Sequence, residues 1–367
     1  MNTITIKAKG ISVSLDLTVG HLADMVVDGG GRQLRPLHRA PWIDEARETL
    51  PKDLPEGTVR LSGDFLCAPF SRSDVEDAPL HGWPANSAWD VVDSKATGDG
   101  WQAVFRLRHT VMGATVDKIL TLRNDHPFLY QEHVFSGGHG AISVAHHPMT
   151  AMTGGGRLAF SPKRFAATLD DPLEPDPARG RFLLAYPARS TDLTRFPAAG
   201  GGTLDLTDYR MGDHREDFIT LVEADHGGPG WTALARQAED DLVLVLKNPA
   251  ELPITMLWLS NAGRDYAPWS GRHRGVLGIE DGRASVGHAA SIGDNWLKRE
   301  GVVTAFALGE DHGFSFRHVI GAMPLTGGEP PQEVTTVSGR MRLAAGGSTW
   351  EVPFDSDFLR IGEPVPA

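Results

Sequence analysis

Apolar and polar residues alternate with period two along most of this chain. Segments 3–9 and 11–19 alternate on either side of Gly10, which reads as a hairpin or bend. Segment 20–31 reads as a further strand ending in Gly29, Gly30 and Gly31, and 33–37 follows it. Segments 104–111 and 115–122 form a predicted hairpin across Met112-Gly113. The pattern continues through 128–135, 142–147, 218–224, 242–247 and 254–259, then 302–308, 335–343 and 349–352. Helical periods are few and short: 43–50, 231–239 and 314–321. Strands at short intervals with turn residues between them predict an all-β chain, an antiparallel sandwich or barrel with less than about a fifth helix. No sustained strand–helix alternation supports a parallel α/β sheet. The Pro- and Gly-rich stretches 169–179 and 196–203 read as loops, because strand patterning resumes after each. One domain spanning 1–367 is expected.

Composition narrows the function classes. Glycine at 42 and proline at 25 suit many turns, and 41% hydrophobic residues supply a substantial core. The net charge is −12 with scattered basic residues, so no cationic stripe for nucleic acid or anionic membrane is present. No apolar run is long enough for a transmembrane helix. Residues 1–10 lack the apolar core of a signal peptide. Cys67 is the only cysteine, which rules out an internal disulfide and fits a reducing compartment. A cytoplasmic protein, monomeric or homodimeric, is the expectation.

Candidate chemistry concentrates in Gly63–Trp89, where Arg72, the triplet Leu80-His81-Gly82, Trp83 and Trp89 share a segment without helical period. Shaped loops that set a few polar groups over aromatic surface hold sugars and other polyols. Two later segments extend the set: Ala145-His146-His147-Pro148, and Gly278-Ile279-Glu280-Asp281 following Trp269-Ser270-Gly271-Arg272-His273-Arg274. In this order and context they resemble the aldose 1-epimerase (galactose mutarotase-like) family. The resemblance covers most of the chain and includes a family-like opening at 20–42. Met149 and Asp281 depart from it: the aromatic pair usual after His-Pro and the proline usual after the glutamate are absent.

The resemblance implies a large antiparallel β-supersandwich and a cofactor-free interconversion of the α and β anomers of a monosaccharide. It makes Glu280 the base that takes the C1 hydroxyl proton and His147 the acid that protonates the ring oxygen. Histidine suits that exchange because its ordinary pKa is about 6.5. Either His146 or His147 faces the cleft, since neighbours on a strand alternate. Arg72, His81, Asp217 and Trp269 are the expected sugar contacts. Asp265 rivals Asp217, and Arg72 has an ion pair with Asp74 or Glu76 as its alternative. Asp281, facing away from Glu280, reads as a surface residue. His146 and His147 with Glu132 or His133 could supply metal ligands, but no ligand-spaced motif supports them, and no metal is expected. Three further readings stay open: a mutarotase for an anionic sugar held by Arg72, Arg264, Arg272 and Arg274, a silent sugar-binding protein of the same fold, and a β-sandwich lyase or hydrolase.

Overall fold

Two large antiparallel sheets carry the fold in a computed structural model that describes residues 2–311 and 313–362. Nine strands form the first, in the order Asp208–Tyr209, Gly156–Phe160, Gly230–Arg236, Asp241–Lys247, Gly313–Pro324, Phe128–Ser136, Thr115–Arg123, Gly100–Leu107 and Trp89–Thr97. The second runs Arg189–Ser190, Lys163–Thr168, Arg215–Glu223, Ile254–Asn261, Val276–Arg283, Val144–His146 and Leu66–Cys67, with Met149–Ala151 also paired to Val276–Arg283. A four-stranded sheet from Thr3–Ala8 to Arg32–Leu34 precedes them, and a three-stranded sheet from Glu333–Val337 to Ser348–Pro353 follows.

Side-chain alternation divides the second sheet into two apolar faces. Ile219, Leu257, Leu277 and Ile279 pack against Leu234, Val243 and Val245 of the nine-stranded sheet. The opposite face presents Phe218, Met256 and Trp258 to Trp42, Phe65 and Phe70. Arg215–Glu223, Ile254–Asn261 and nearly all of Val276–Arg283 are consequently buried from end to end. The candidate site grows on the second of these faces.

Strand makes up 47% of the structure and helix 5%, in line with the all-β expectation. Two of the helical segments are corrected: of 231–239, residues 231–236 belong to the strand Gly230–Arg236 and the rest is turn, and 314–321 lies within the strand Gly313–Pro324. Gly230–Arg236 is buried on both faces, so the polar half of its period-two pattern is missing, and Gly313–Pro324 becomes so from His318 to Met323. Within 43–50 only the 3₁₀ turn Arg47–Thr49 forms. Segment 335–343 divides into Glu333–Val337 and Arg340–Ala345, and 302–308 contributes only Phe306–Ala307. The strand Val276–Arg283 turns Glu280 and Asp281 to opposite faces as expected, although it is not among the period-two segments. Among the described residues no helix is long and apolar enough to cross a membrane.

The loop bearing the Leu-His-Gly triplet depends on left-handed backbone. His81 sits at φ 66° and Gly82 at φ 76°, and a Cβ on Gly82 would stand 1.9 Å from the Ala68 carbonyl oxygen. Gly82→Ala is therefore expected to cost more than about 1 kcal/mol, because the clash and the left-handed strain outweigh the entropy that alanine removes from the unfolded chain. A lowered denaturant midpoint at constant m-value is the expected readout. An unchanged midpoint would contradict this account of the loop.

Candidate active site

Val276–Arg283 and the segment around Val144–His146 place two adjacent residues each on opposite faces of one sheet. Glu280 and His147 turn toward the outer apolar face, where His147 Nε2 lies 3.2 Å from Glu280 Oε1. The His147 side chain is only 6% exposed and that of Glu280 3%. Gly278, two residues before Glu280, leaves the room this requires: a Cβ there would meet Trp258 Cβ at 3.0 Å and Glu280 Oε1 at 3.3 Å. Phe65 stacks on the His147 ring at 4.5 Å, and Trp258 meets that ring edge-on at 5.6 Å.

Glu280, His147 and His81 line a cavity of about 200 Å³. That is below the ~300–1,000 Å³ of drug-sized sites and suits a single small molecule. His81 crosses His147 edge-on at 5.4 Å and accepts or donates a hydrogen bond at Nδ1 with Cys67 Sγ, 3.2 Å away. Burial pushes the Cys67 thiol well up, so it stays protonated and can be the donor. Trp269 closes one side, with the Arg264 guanidinium 4.5 Å over its ring.

Burial sets the protonation of the central pair. It raises the Glu280 carboxyl well above its ordinary range, and it drives the His147 imidazole well below its own, with His81 adding to the shift. Both shifts favour an uncharged acid facing an uncharged imidazole, with one proton between the pair. The sequence assigned a carboxylate base and an imidazolium acid. The proton count is the same, but the proton rests on the other partner.

Behind this face the alternate residues build a charged layer. Asp64 Oδ2 accepts from His146 Nδ1 at 3.0 Å, and Asp64 Oδ1 accepts the His147 backbone N–H at 2.9 Å. The His146 ring stacks on His318 at 4.1 Å, and His318 Nε2 reaches Asp281 Oδ2 at 3.1 Å. Asp281 Oδ1 accepts from Thr255 at 2.7 Å and lies 2.9 Å from Lys247 Nζ. Burial alone would raise both aspartates. His146, His318 and Gln131 outweigh it at Asp64, and Lys247 and His318 outweigh it at Asp281, so both carboxyls are held well below the usual range. Asp281 is thus a buried ion-paired residue, contrary to its surface reading. Asp64, His146 and His318 offer ligand atoms within 4.8 Å of one another. The two rings, however, lie 10° from parallel, so their lone pairs run side by side instead of converging on one ion. The cluster fits hydrogen bonding better than chelation.

Two expected sugar contacts lie elsewhere. Arg72 has a 72% exposed side chain whose Nε is 3.6 Å from Asp74, while its neighbour Ser71 lines the cavity. Asp217 faces the opposite side of its strand from the cavity residue Phe218. It is fully buried, accepting from Arg215 Nε at 2.7 Å, Tyr186 at 3.0 Å and the Leu184 N–H at 3.1 Å. Its rival Asp265 pairs with Arg181 at 2.8 Å. Of the aromatic candidates, Trp83 stacks on His109 and Trp89 lies in the core. The residue missed beside Asp217 is Glu216, which receives Trp258 Nε1, Ser260 Oγ at 2.9 Å and the Arg264 guanidinium at 3.2 Å. A signal existed: with Phe218 on the site face, period two puts Glu216 there and Asp217 behind.

Buried neutral histidines make acid stability a test of this arrangement. Burial lowers His21 to about 3 and His146 to about 4, against about 6.5 in the unfolded chain. Between pH 6.5 and 4 the unfolded chain therefore binds more protons, so this stability is complete above about 6.5 and is lost as pH falls through the window. Each such histidine contributes a slope of up to about 1.4 kcal/mol per pH unit. Denaturant midpoints are expected to fall from pH 7 to pH 5, before the depressed carboxyls of Asp64 and Asp281 titrate. A flat profile to pH 5 would contradict the burial assigned to these rings.

Neither a protein-family profile nor a curated protein sequence matches the chain. Solved structures do. An Escherichia coli K12 protein provisionally assigned as an aldose 1-epimerase aligns over 88% of this chain and 99% of its own, with TM-score 0.58 and 13% identity. A galactose mutarotase related enzyme from Lactobacillus acidophilus aligns over 89% and 98%, with TM-score 0.51 and 12% identity. A protein of Salmonella typhimurium provisionally assigned as a mutarotase aligns over 88% and 90%, with TM-score 0.53 and 12% identity. The chain has the galactose mutarotase-like fold.

Proposed function

We propose that the protein is an aldose 1-epimerase, an isomerase that interconverts the anomers of a neutral monosaccharide by opening and closing its ring. The observation that carries this reading is the contact of Glu280 with His147, 3.2 Å apart on the wall of a monosaccharide-sized cavity. That gap is too narrow for a sugar ring to lie between them. The pair therefore meets the substrate from one edge, where O1 and O5 share the anomeric carbon. One partner donates a proton to O5 while the other takes the O1 proton, the C1–O5 bond breaks, and an open-chain aldehyde forms. Rotation about C1–C2 presents the other carbonyl face, and the reversed transfers close the ring. Each residue ends as it began, so either resting position of the shared proton supports the cycle. Positioned acid–base groups contribute about 10²–10⁴-fold each.

The arginine placement favours a neutral sugar over an anionic one. Arg272 pairs with Glu45, Arg274 Nε donates to the Gly271 carbonyl at 2.8 Å, and Arg264, the one of the three that lines the cavity, is matched by Glu216 at 3.2 Å. A sugar phosphate would have to compete with buried Glu216 for that guanidinium. A silent binder of the same fold would need no buried acid–base pair.

Exchange spectroscopy of anomeric proton signals tests the reading. Glu280→Gln is expected to lose at least about 10²-fold in exchange rate while still binding sugar. Retention of a tenth of the activity would contradict a proton-transfer role. Because burial moves Glu280 up and His147 down, the pH–rate profile is expected to stay level through pH 6–7. A limb centred near pH 6.5 would place an ordinary, solvated histidine in the reaction instead.

A further inference from the structure

The cavity that holds Glu280 and His147 is poor in hydrogen-bonding groups for a site that takes a polyol. Asn86 is spent internally: Nδ2 donates to the Leu80 and Gly82 carbonyls at 2.8 and 2.7 Å, and Oδ1 accepts from the Gly57 N–H at 2.9 Å. The His21 ring bonds the Ala85 carbonyl at 3.0 Å through Nε2, which leaves only Nδ1 without a partner. Arg264 is committed in part to Glu216 and lies over Trp269. Once the catalytic pair is occupied by O1 and O5, the remaining lining offers His81, His21 Nδ1, the outstanding Arg264 donors and the hydroxyls of Thr58 and Ser71. An aldohexopyranose brings further hydroxyls at C2, C3, C4 and C6, each both donor and acceptor.

The rest of the lining is aliphatic or aromatic. Leu80, Leu169, Leu173 and Val286 come from loops and are only partly buried or exposed, while Phe70 and Phe218 stack beneath at 6.3 Å between ring centroids. Flat aromatic faces suit the C–H side of any pyranose, but branched aliphatic side chains offer nothing to a hydroxyl. Each hydroxyl left without a partner against such a surface weakens binding by about ten- to a hundredfold.

We infer, resting on the aldose 1-epimerase reading, that the preferred substrate is a deoxy or O-alkylated aldopyranose. It keeps a free anomeric hydroxyl, and at a position remote from C1 it carries hydrogen, methyl or an alkyl ether in place of a hydroxyl. The leucine–valine surface takes that group, and His81 and Arg264 take the hydroxyls that remain. The reaction is unchanged, since only O1, C1 and O5 exchange bonds and protons.

Catalysed anomer exchange, with the spontaneous rate subtracted, tests this on sugars matched in ring stereochemistry. D-galactose is compared with 6-deoxy-D-galactose, and D-glucose with 6-deoxy-D-glucose and with its 4-O-methyl and 6-O-methyl ethers. The expected result is a kcat/KM at least about tenfold higher for a deoxy or O-methyl member than for its parent, with the winning arm showing which substituent is read. Parent sugars exchanged as well as or better than every derivative would overturn the inference and leave the epimerase reading standing. Catalysed exchange of none of these sugars would count against both. Leu173→Asn and Leu169→Asn, both at partly buried loop positions, are expected to move the ratio toward the parent sugar by about tenfold. A ratio unmoved by either variant would show that this surface does not read the substituent.

Discussion

Two carboxyls on consecutive residues of one fully buried strand end in opposite states, and the site follows from that. Strand alternation sends Glu280 to the outer face and Asp281 into the space between the sheets, and each is only 2% exposed. Asp281 finds Lys247, His318 and Thr255, enough to hold it ionised. Glu280 finds His147, itself stripped of water, and keeps its proton. The same division separates His146, hydrogen-bonded to Asp64, from His147. Burial supplies one desolvation cost throughout, and the partners available on each face decide whether charge survives it.

The consequence for chemistry is a site without net charge to lend. The Arg264 guanidinium that lines it is paired with Glu216, and Glu280 and His147 meet across 3.2 Å. Such a site suits an isomerisation in which no charge accumulates, because each proton given at one oxygen is matched by one taken at its geminal neighbour. The charged layer behind it, tied to the His147 backbone through Asp64, holds the histidine against Glu280. The fold neighbours at 10–14% identity share this architecture and leave the sugar open.

The fold class and the core of the site were legible in the sequence for different reasons. Edge and half-buried strands such as Thr115–Arg123 keep strict alternation and announce themselves. Gly230–Arg236 and Val276–Arg283 lie between packed layers and lose that alternation, so the first reads as a helix and the second is not among the period-two segments. Glu280, His147, His81 and Trp269 were found through local contexts that resemble a family, and they do come together. Arg72 and Asp217 each missed by one residue, beside Ser71 and next to Glu216, because a motif read in one dimension does not say which face a side chain takes. The partner of each buried charge could not be read either. Asp281 looked like a surface acid because Lys247 and His318 are distant in sequence and meet it only across the sandwich.

The shared, uncharged state of Glu280 and His147 is the claim on which this account turns, and infrared difference spectroscopy addresses it directly. The spectrum of Glu280→Gln subtracted from that of the native protein near pH 7 isolates the Glu280 carboxyl. A protonated carboxylic-acid carbonyl band, present in the native protein and absent from the variant, is the result this account requires. A carboxylate band in its place would mean that the glutamate rests ionised beside an imidazolium, and that burial does not govern the site.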